Sequence, residues 1–365
     1  MLYSTIENVQ FDLNVTCNAF CPGCHRYAFK DDKMYLNPYL TFNTSVDLSV
    51  IENIVQNPRL SDDVWLDFVG LVGEPAAHKQ FLEITDIVYK YKPNAVIQLH
   101  TNGGLRSTEF WKELAPKIMR QDKESSVVFS IDGLEDTHKL YRIGTSYKKI
   151  LQNAKAFIDA GGTAEWCFIK FKHNEHQIEQ AQDIAKQLGF SLFVEKNSSR
   201  FIGTPKFPVY NKTGETTHYL EAPSNSDVTF ITEDTVKNYK DILSNSKIDC
   251  YVLQTKEVYI DAYKNIFPCC FLASTPYNYA KPNDITTTVR THMHEQYLDL
   301  IEKLGNTNAL ENTLQQVIDS LPWQTVWKNY WGDDMLITCA RTCGRSKELP
   351  KPKDQFIKVI GLNNE

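Results

Sequence analysis

The chain has 365 residues, 42% of them hydrophobic and 23% charged, with a formal net charge of −6. That is enough for one large globular domain with an appendage, or for two. The charge gives no support to a nucleic-acid surface, no run of about 18 apolar residues offers a membrane span, and the N-terminus lacks the basic and apolar regions of a secretory signal. Nine cysteines without an export signal argue against a disulfide scaffold and fit metal ligation in a reducing cytoplasm.

Residues 9–15 alternate apolar and polar, which predicts a strand. It runs into Cys17-Asn-Ala-Phe-Cys21-Pro-Gly-Cys24, three thiols on one short loop. A structural zinc site takes four closed ligands. A cubane iron–sulfur cluster held by three cysteines keeps one iron open. Further strands are predicted at 64–70, 95–100, 126–131, 164–170 and 190–195, and helices at 80–91, 107–120, 146–160 and 174–188. Ser107 is a plausible N-cap, and Gly161-Gly162 and Gly189 are stops. Strands alternating with helices mean parallel βαβ units. Functional groups then belong at the C-terminal ends of the six strands.

Those ends carry suitable chemistry. The second reads Gly70-Leu-Val-Gly73-Glu74-Pro75: glycine permits close backbone approach to a ligand, and a carboxylate accepts hydrogen bonds from an ammonium group. The third reads Thr101-Asn102-Gly103. The fourth offers Ser130 and Asp132, a hydroxyl and a carboxylate suited to ribose or substrate, and then Arg142, whose planar fork matches a carboxylate. His173 reads as a capping or surface histidine, and Cys167 as a buried structural thiol.

From about residue 197 the pattern changes. Residues 198–227 are rich in Pro, Thr, Asn and Gly and read as a loop or lid-like insertion. Cys250 and Cys269 flank a stretch that alternates and turns around 262–265, a hairpin that would bring the two thiols together. Asp261 lies in that turn and reads as structural. Cys339-Ala-Arg-Thr-Cys343 adds two thiols on one turn. On coordination grounds four thiolates suit zinc as well as a cluster, and Cys270 is an alternative to Cys269. Helices are predicted at 292–303 and 309–321. Trp323, Trp327, Tyr330 and Trp331, at helical spacing, read as core packing.

The CxxxCxxC loop after a first strand resembles the signature of the radical S-adenosylmethionine (radical SAM) enzymes. Gly23 stands where many members carry an aromatic residue, and Phe20 is the candidate to pack there instead. Gly73-Glu74-Pro75 resembles the family's GGEP motif, which holds the SAM amino group. The Thr101-Asn102-Gly103 turn is similar to one common in the family. By resemblance Ser130 faces the SAM ribose, Arg142 the SAM carboxylate, and 168–174 the adenine. The region 250–345 resembles the Twitch and SPASM extensions, which implies one auxiliary [4Fe–4S] cluster on Cys250, Cys269, Cys339 and Cys343.

The resemblance implies an α/β fold: a partial (β/α)6 barrel over 1–196, a linker or insertion at 197–249, a small α+β auxiliary-cluster domain at 250–345 with a helical insertion, and a surface tail at 346–365. It implies a cytoplasmic enzyme that binds SAM at a [4Fe–4S] cluster on Cys17, Cys21 and Cys24. An external one-electron donor such as flavodoxin or ferredoxin reduces that cluster. The implied reaction is oxidative modification of a peptide or protein side chain. The alternatives are dehydrogenation of a small sugar- or nucleotide-like metabolite and, more remotely, a zinc-stabilised interaction protein without catalysis. The 16 residues before Cys17 leave no room for a fused leader-recognition domain, which weighs against the peptide reading without excluding it, since such a domain can be a separate chain.

Overall fold

The structure is a computed structural model. It describes residues 4–30, 33–120, 124–198, 201, 205–211, 213–224, 246–279, 287–329, 331, 335–344 and 356–362. Six parallel strands form its centre: β1 (Ile6–Asp12), β4 (Leu60–Val69), β5 (Val96–Thr101), β6 (Ser126–Ser130), β7 (Ala164–Lys170) and β8 (Leu192–Asn197). They stand in chain order side by side. Between β1 and β4 lie a hairpin, β2 (Tyr27–Lys30) and β3 (Lys33–Leu36), and the helix α1 (Leu48–Val55). The strands and helices predicted up to residue 197 are present, within a few residues at their ends. The hairpin and α1 were not anticipated, because four-residue strands are too short for alternation to register.

The outer face of the sheet is apolar and the inner face polar, as strand alternation dictates. Val9, Phe11, Leu66, Phe68, Ile97, Leu99, Val127, Phe129, Trp166 and Phe193 face outward into one core. That core is closed by α2 (Phe81–Tyr91), α3 (Thr108–Ile118), α5 (Tyr147–Asp159) and α6 (Ile178–Leu188), with the single turn α4 (His138–Tyr141) between α3 and α5. In α2, Phe81, Ile84, Thr85 and Val88 recur on one helical face and are buried. Each fully buried side chain of this kind contributes about 1.5–3 kcal/mol. Ser146 caps α5 by accepting a hydrogen bond from the Lys149 N–H. Gly189 ends α6 in the left-handed conformation, φ 90°, which glycine adopts at little cost. Ser107 occupies the N-cap of α3 but makes no side-chain cap.

The C-terminal half extends the same sheet. The strand β11 (Glu257–Ile260) pairs parallel with β1, and β12 (Ile266–Phe267) pairs antiparallel with β11. The hairpin predicted around 262–265 is present, with Lys264 at φ 73° in its turn. At the opposite edge β13 (Phe356–Gly361) pairs antiparallel with β8. The expectation of a surface tail over 346–365 is therefore corrected for 356–361, which complete a nine-stranded sheet. The insertion read as a loop contains a second correction. It folds into a hairpin, β9 (Lys206–Tyr210) with β10 (Thr216–Glu221).

The predicted helix 292–303 runs longer, over Thr287–Leu304. The stretch 309–321 becomes Leu314–Asp319, opened by a capping box at Thr313, followed by Leu321–Asn329. Trp323 is fully buried and Trp331 packs against the core, as expected; Tyr330 and the Trp327 side chain lie outside the described residues. Among the described residues no helix is long and apolar enough to cross a membrane.

Candidate active site

The cysteine loop leaves the C-terminal end of β1 and is fastened to the turn that follows β4. Asn14 donates through Nδ2 to the Glu74 carbonyl at 3.0 Å, and the Glu74 N–H donates to the Thr16 carbonyl at 2.8 Å. Gly73 is required here: an added Cβ would lie 1.8 Å from the Asn14 carbonyl oxygen. The close approach that glycine permits is thus to the cysteine loop. Within the loop the Ala19 N–H and Asn102 Nδ2 point at the Cys17 sulfur, at 3.3 and 3.6 Å. Arg26, buried behind the loop, donates to the Cys17 carbonyl at 3.1 Å. Phe20 packs on Tyr27, ring centroids 4.4 Å apart.

Glu74 is buried and points at the end of β5. Its carboxylate accepts hydrogen bonds from Thr101 Oγ1 at 2.6 Å, the Asn102 N–H at 2.7 Å and the Ala76 N–H at 3.2 Å. Burial raises its pKa against the pull of those donors. The Cys17 thiol is pushed up to about 12, first by burial, then by the Glu74 charge and the neighbouring thiols. Such thiols ionise when a metal centre supplies the compensating positive charge. Pro75 opens the short turn after Glu74.

Asp132 and Arg142 form a buried ion pair, Nε to Oδ2 at 2.5 Å, and Asp132 Oδ1 accepts the Ile169 N–H at 2.5 Å. Each Asp132 oxygen accepts one hydrogen bond, and the residue positions Arg142. Burial opposes the Arg142 charge, but Asp132 and Cys21 together outweigh it and hold the guanidinium protonated. Its Nη1 lies 4.0 Å from the Cys21 sulfur. Ser130 is half-buried at the end of β6. His173 is not a cap: it stacks on Phe171 at 5.3 Å, and burial lowers its pKa to about 4. Cys167 is buried in β7, as expected of a structural thiol.

The β9–β10 hairpin was missed as part of this site. Its Val209 and Leu220 pack with Phe171, Tyr141, Ala19 and Cys21 in one cluster beside the cysteine loop.

The four C-terminal cysteines converge despite the 69 residues that lie between Cys269 and Cys339 in sequence order. Cys250 and Cys269 each precede a short helix, and Cys339 and Cys343 lie on the helix Ile337–Cys343. The Asp249 N–H donates to the Cys343 carbonyl at 2.8 Å. The Cys250 thiol hydrogen-bonds Cys343, and Cys269 faces Cys339 and Cys343. Cys270 turns away, its sulfur 3.9 Å from the Tyr251 hydroxyl. Burial pushes the Cys339 thiol up to about 12. Among the described residues neither cysteine group is drawn to single-ion ligand spacing. A cubane spreads its cysteine sulfurs over separate irons, so it does not require that spacing. Soft thiolates are the donors such clusters take.

Residues 13–188 match the family model described as the Radical SAM superfamily. A comparison with the curated proteins finds no match. Among solved structures the chain is similar to Streptococcus suis SuiB bound to S-adenosylmethionine, at 15% identity and TM-score 0.55, over 90% of this chain and 68% of that one. It is also similar to native anSMEcpe with bound AdoMet, at 13% identity and TM-score 0.51, over 87% of this chain and 81% of that one. SuiB bound to its precursor peptide SuiA aligns at 13% identity and TM-score 0.52, over 88% and 67%. These likenesses establish the fold: a mostly parallel α/β sheet of the radical SAM type, with no closed barrel among the described residues.

Proposed function

We propose that this protein is a radical SAM enzyme that oxidatively modifies a peptide or protein side chain. One observation carries the radical part. Three thiols on the loop after β1, none of them in a disulfide, stand beside Glu74, Asn102 and the Asp132–Arg142 pair, all at the C-terminal ends of adjacent parallel strands. In this reading Cys17, Cys21 and Cys24 hold a [4Fe–4S] cluster, Glu74 accepts from the SAM ammonium, and Arg142 faces its carboxylate. Bound there, the cluster supplies the electron that cleaves SAM to a 5'-deoxyadenosyl radical, which takes a substrate hydrogen atom. The chain's own part is to orient SAM and to exclude water, with the β9–β10 hairpin walling one side.

The oxidative part rests on the C-terminal thiols. Cys250, Cys269, Cys339 and Cys343 would hold one auxiliary [4Fe–4S] cluster, with every ligand from protein and hence suited to take an electron rather than a ligand. Their convergence supports this reading, and Cys269 is assigned over Cys270 because Cys270 faces Tyr251. Cys269→Ser is expected to lower the iron content by about four per chain, and Cys270→Ser to leave it unchanged. Iron and sulfide analysis after anaerobic reconstitution reads this directly. The reverse pattern would move the ligand to Cys270.

A peptide substrate is proposed because SuiB, which shares the fold, has been solved with its precursor peptide. The test is to incubate the reconstituted enzyme with SAM, dithionite and candidate precursor peptides encoded beside it. A peptide losing two mass units, with 5'-deoxyadenosine formed in step, supports the proposal. Turnover of a small sugar or nucleotide alone would replace it.

A further inference from the structure

Arg26 is a buried cation without an anionic partner among the described residues. It is only 7% exposed. Its guanidinium makes one hydrogen bond, from Nη1 to the Cys17 carbonyl at 3.1 Å, and its buried Nε makes none. Other deeply placed cations differ. Lys92 lies 3.7 Å from Asp62, and Arg142 is paired with Asp132. Arginine does not shed its proton in a protein, and a charge taken out of water without a counter-charge is costly. Buried charges are ordinarily met by an opposite charge or a metal centre.

The backbone fixes Arg26 beside the three thiols. Its carbonyl accepts the Asn37 N–H at 2.7 Å, and fully buried Asn37 donates through Nδ2 to the His25 and Tyr277 carbonyls, at 3.0 and 3.1 Å. The next residue, Tyr27, donates its N–H to the Cys24 carbonyl at 3.1 Å, and its ring centre lies 5.7 Å from the guanidinium carbon. The Tyr27 hydroxyl feels both sides. Burial raises its pKa most, Arg26 lowers it, and Cys24, Cys17 and Cys21 raise it. The guanidinium and the three sulfurs therefore share one small, poorly solvated region.

We propose that the cluster on Cys17, Cys21 and Cys24 is the counter-ion of Arg26, and that Arg26 sets how readily this cluster is reduced. The proposal rests on the radical SAM reading and adds a residue to it. Three thiolates around a cubane core of two positive charges leave one net negative charge, and reduction adds a second. A fixed cation nearby favours the more negative form and so raises the reduction potential. Net charge and hydrogen bonding around the ligands are the protein's levers on that potential. Arg26 acts through the cluster, as a positioning residue.

The test separates charge from hydrogen bonding. Arg26→Gln keeps an amide that can donate to the Cys17 carbonyl and removes the charge, whereas Arg26→Lys keeps the charge. Full-length proteins are reconstituted anaerobically and titrated with redox dyes. Electron paramagnetic resonance follows the reduced cluster whose signal changes when SAM is added. At the wild-type midpoint the reduced-to-oxidised ratio of Arg26→Gln is expected to fall about tenfold, a shift of about 59 mV to lower potential for a one-electron couple. Arg26→Lys should stay near the wild type. An unchanged midpoint in Arg26→Gln, or an equal fall in Arg26→Lys, overturns the proposal and leaves Arg26 a mere tie to the loop. A second measurement needs no cluster. In the iron-free proteins Arg26 has no counter-ion, so Arg26→Gln is expected to melt higher than the wild type. If Arg26→Gln takes up no cluster at this site, that comparison decides, and a melting temperature no higher than the wild type's overturns the proposal. A wild type that binds no iron would sink the radical reading and this proposal together. Iron bound with a midpoint indifferent to Arg26 sinks the proposal alone.

Discussion

Replacing Cys17, Cys21 and Cys24 together by alanine is expected to abolish 5'-deoxyadenosine formation and to remove about four of about eight irons per chain. The loss is complete because SAM has no other anchor to an electron source. Glu74, Asn102 and Arg142 remain in place but would hold SAM beside nothing that can reduce it. The fold should survive. The loop is fixed from outside the thiols, by Asn14 and Thr16 to the Glu74 turn and by the Phe20 N–H to the Ile143 carbonyl at 2.7 Å. Unchanged far-ultraviolet circular dichroism with 5'-deoxyadenosine absent is the expected result. A wild type with about four irons, falling to none in the variant, would keep the SAM cluster but make the C-terminal thiols a zinc or structural site. The argument for an oxidative reaction would fall with it. Residual 5'-deoxyadenosine in the triple variant would remove the loop from the chemistry.

Much of this site was legible because its parts are local in sequence. Cys17, Cys21 and Cys24 share one loop, and Glu74 and Asn102 each end a strand whose period-two pattern is plain. What the sequence hid is what depends on long-range pairing. Nothing near Glu257 says that it starts a strand beside Asn8, 249 residues away. Nor does the segment 356–361 announce β8 as its partner. Short strands carry little pattern, and their partners are chosen by edges that only the folded sheet exposes. The β9–β10 hairpin hid for a related reason. Its residues are rich in Thr, Pro and Asn, and only Val209 and Leu220, which meet Phe171 and Cys21, show what it covers. Residue type offered Asp132 as a carboxylate for a ligand, and only the fold shows that it also holds Arg142. Arg26 gave no signal, since one arginine after a cysteine loop looks like surface charge until its burial is seen.

The buried pair gives the largest expected effect on stability. Asp132→Ala leaves Arg142 charged, with its side chain 14% exposed and its partner removed. Taking one member from a buried ion pair costs about 3–5 kcal/mol, a large share of the stability of an ordinary domain. It also frees the Ile169 N–H, which Asp132 Oδ1 now accepts, so the end of β7 should loosen with it. Arg142→Ala strands the Asp132 carboxylate with that one donor and is expected to cost a similar amount. The double variant should cost less than the two single changes added, because the second removal takes away a group already unpaired. Urea unfolding of the four proteins reads this cycle. The coupling bears on function because Arg142 reaches toward Cys21 only while Asp132 holds its Nε. Asp132→Asn keeps the shape and an acceptor but drops the charge. If Arg142 faces the SAM carboxylate, that variant should bind SAM more weakly while staying folded. Additive single changes of under about 1 kcal/mol would mean that water screens the pair, and Arg142 would then not be a fixed part of the site.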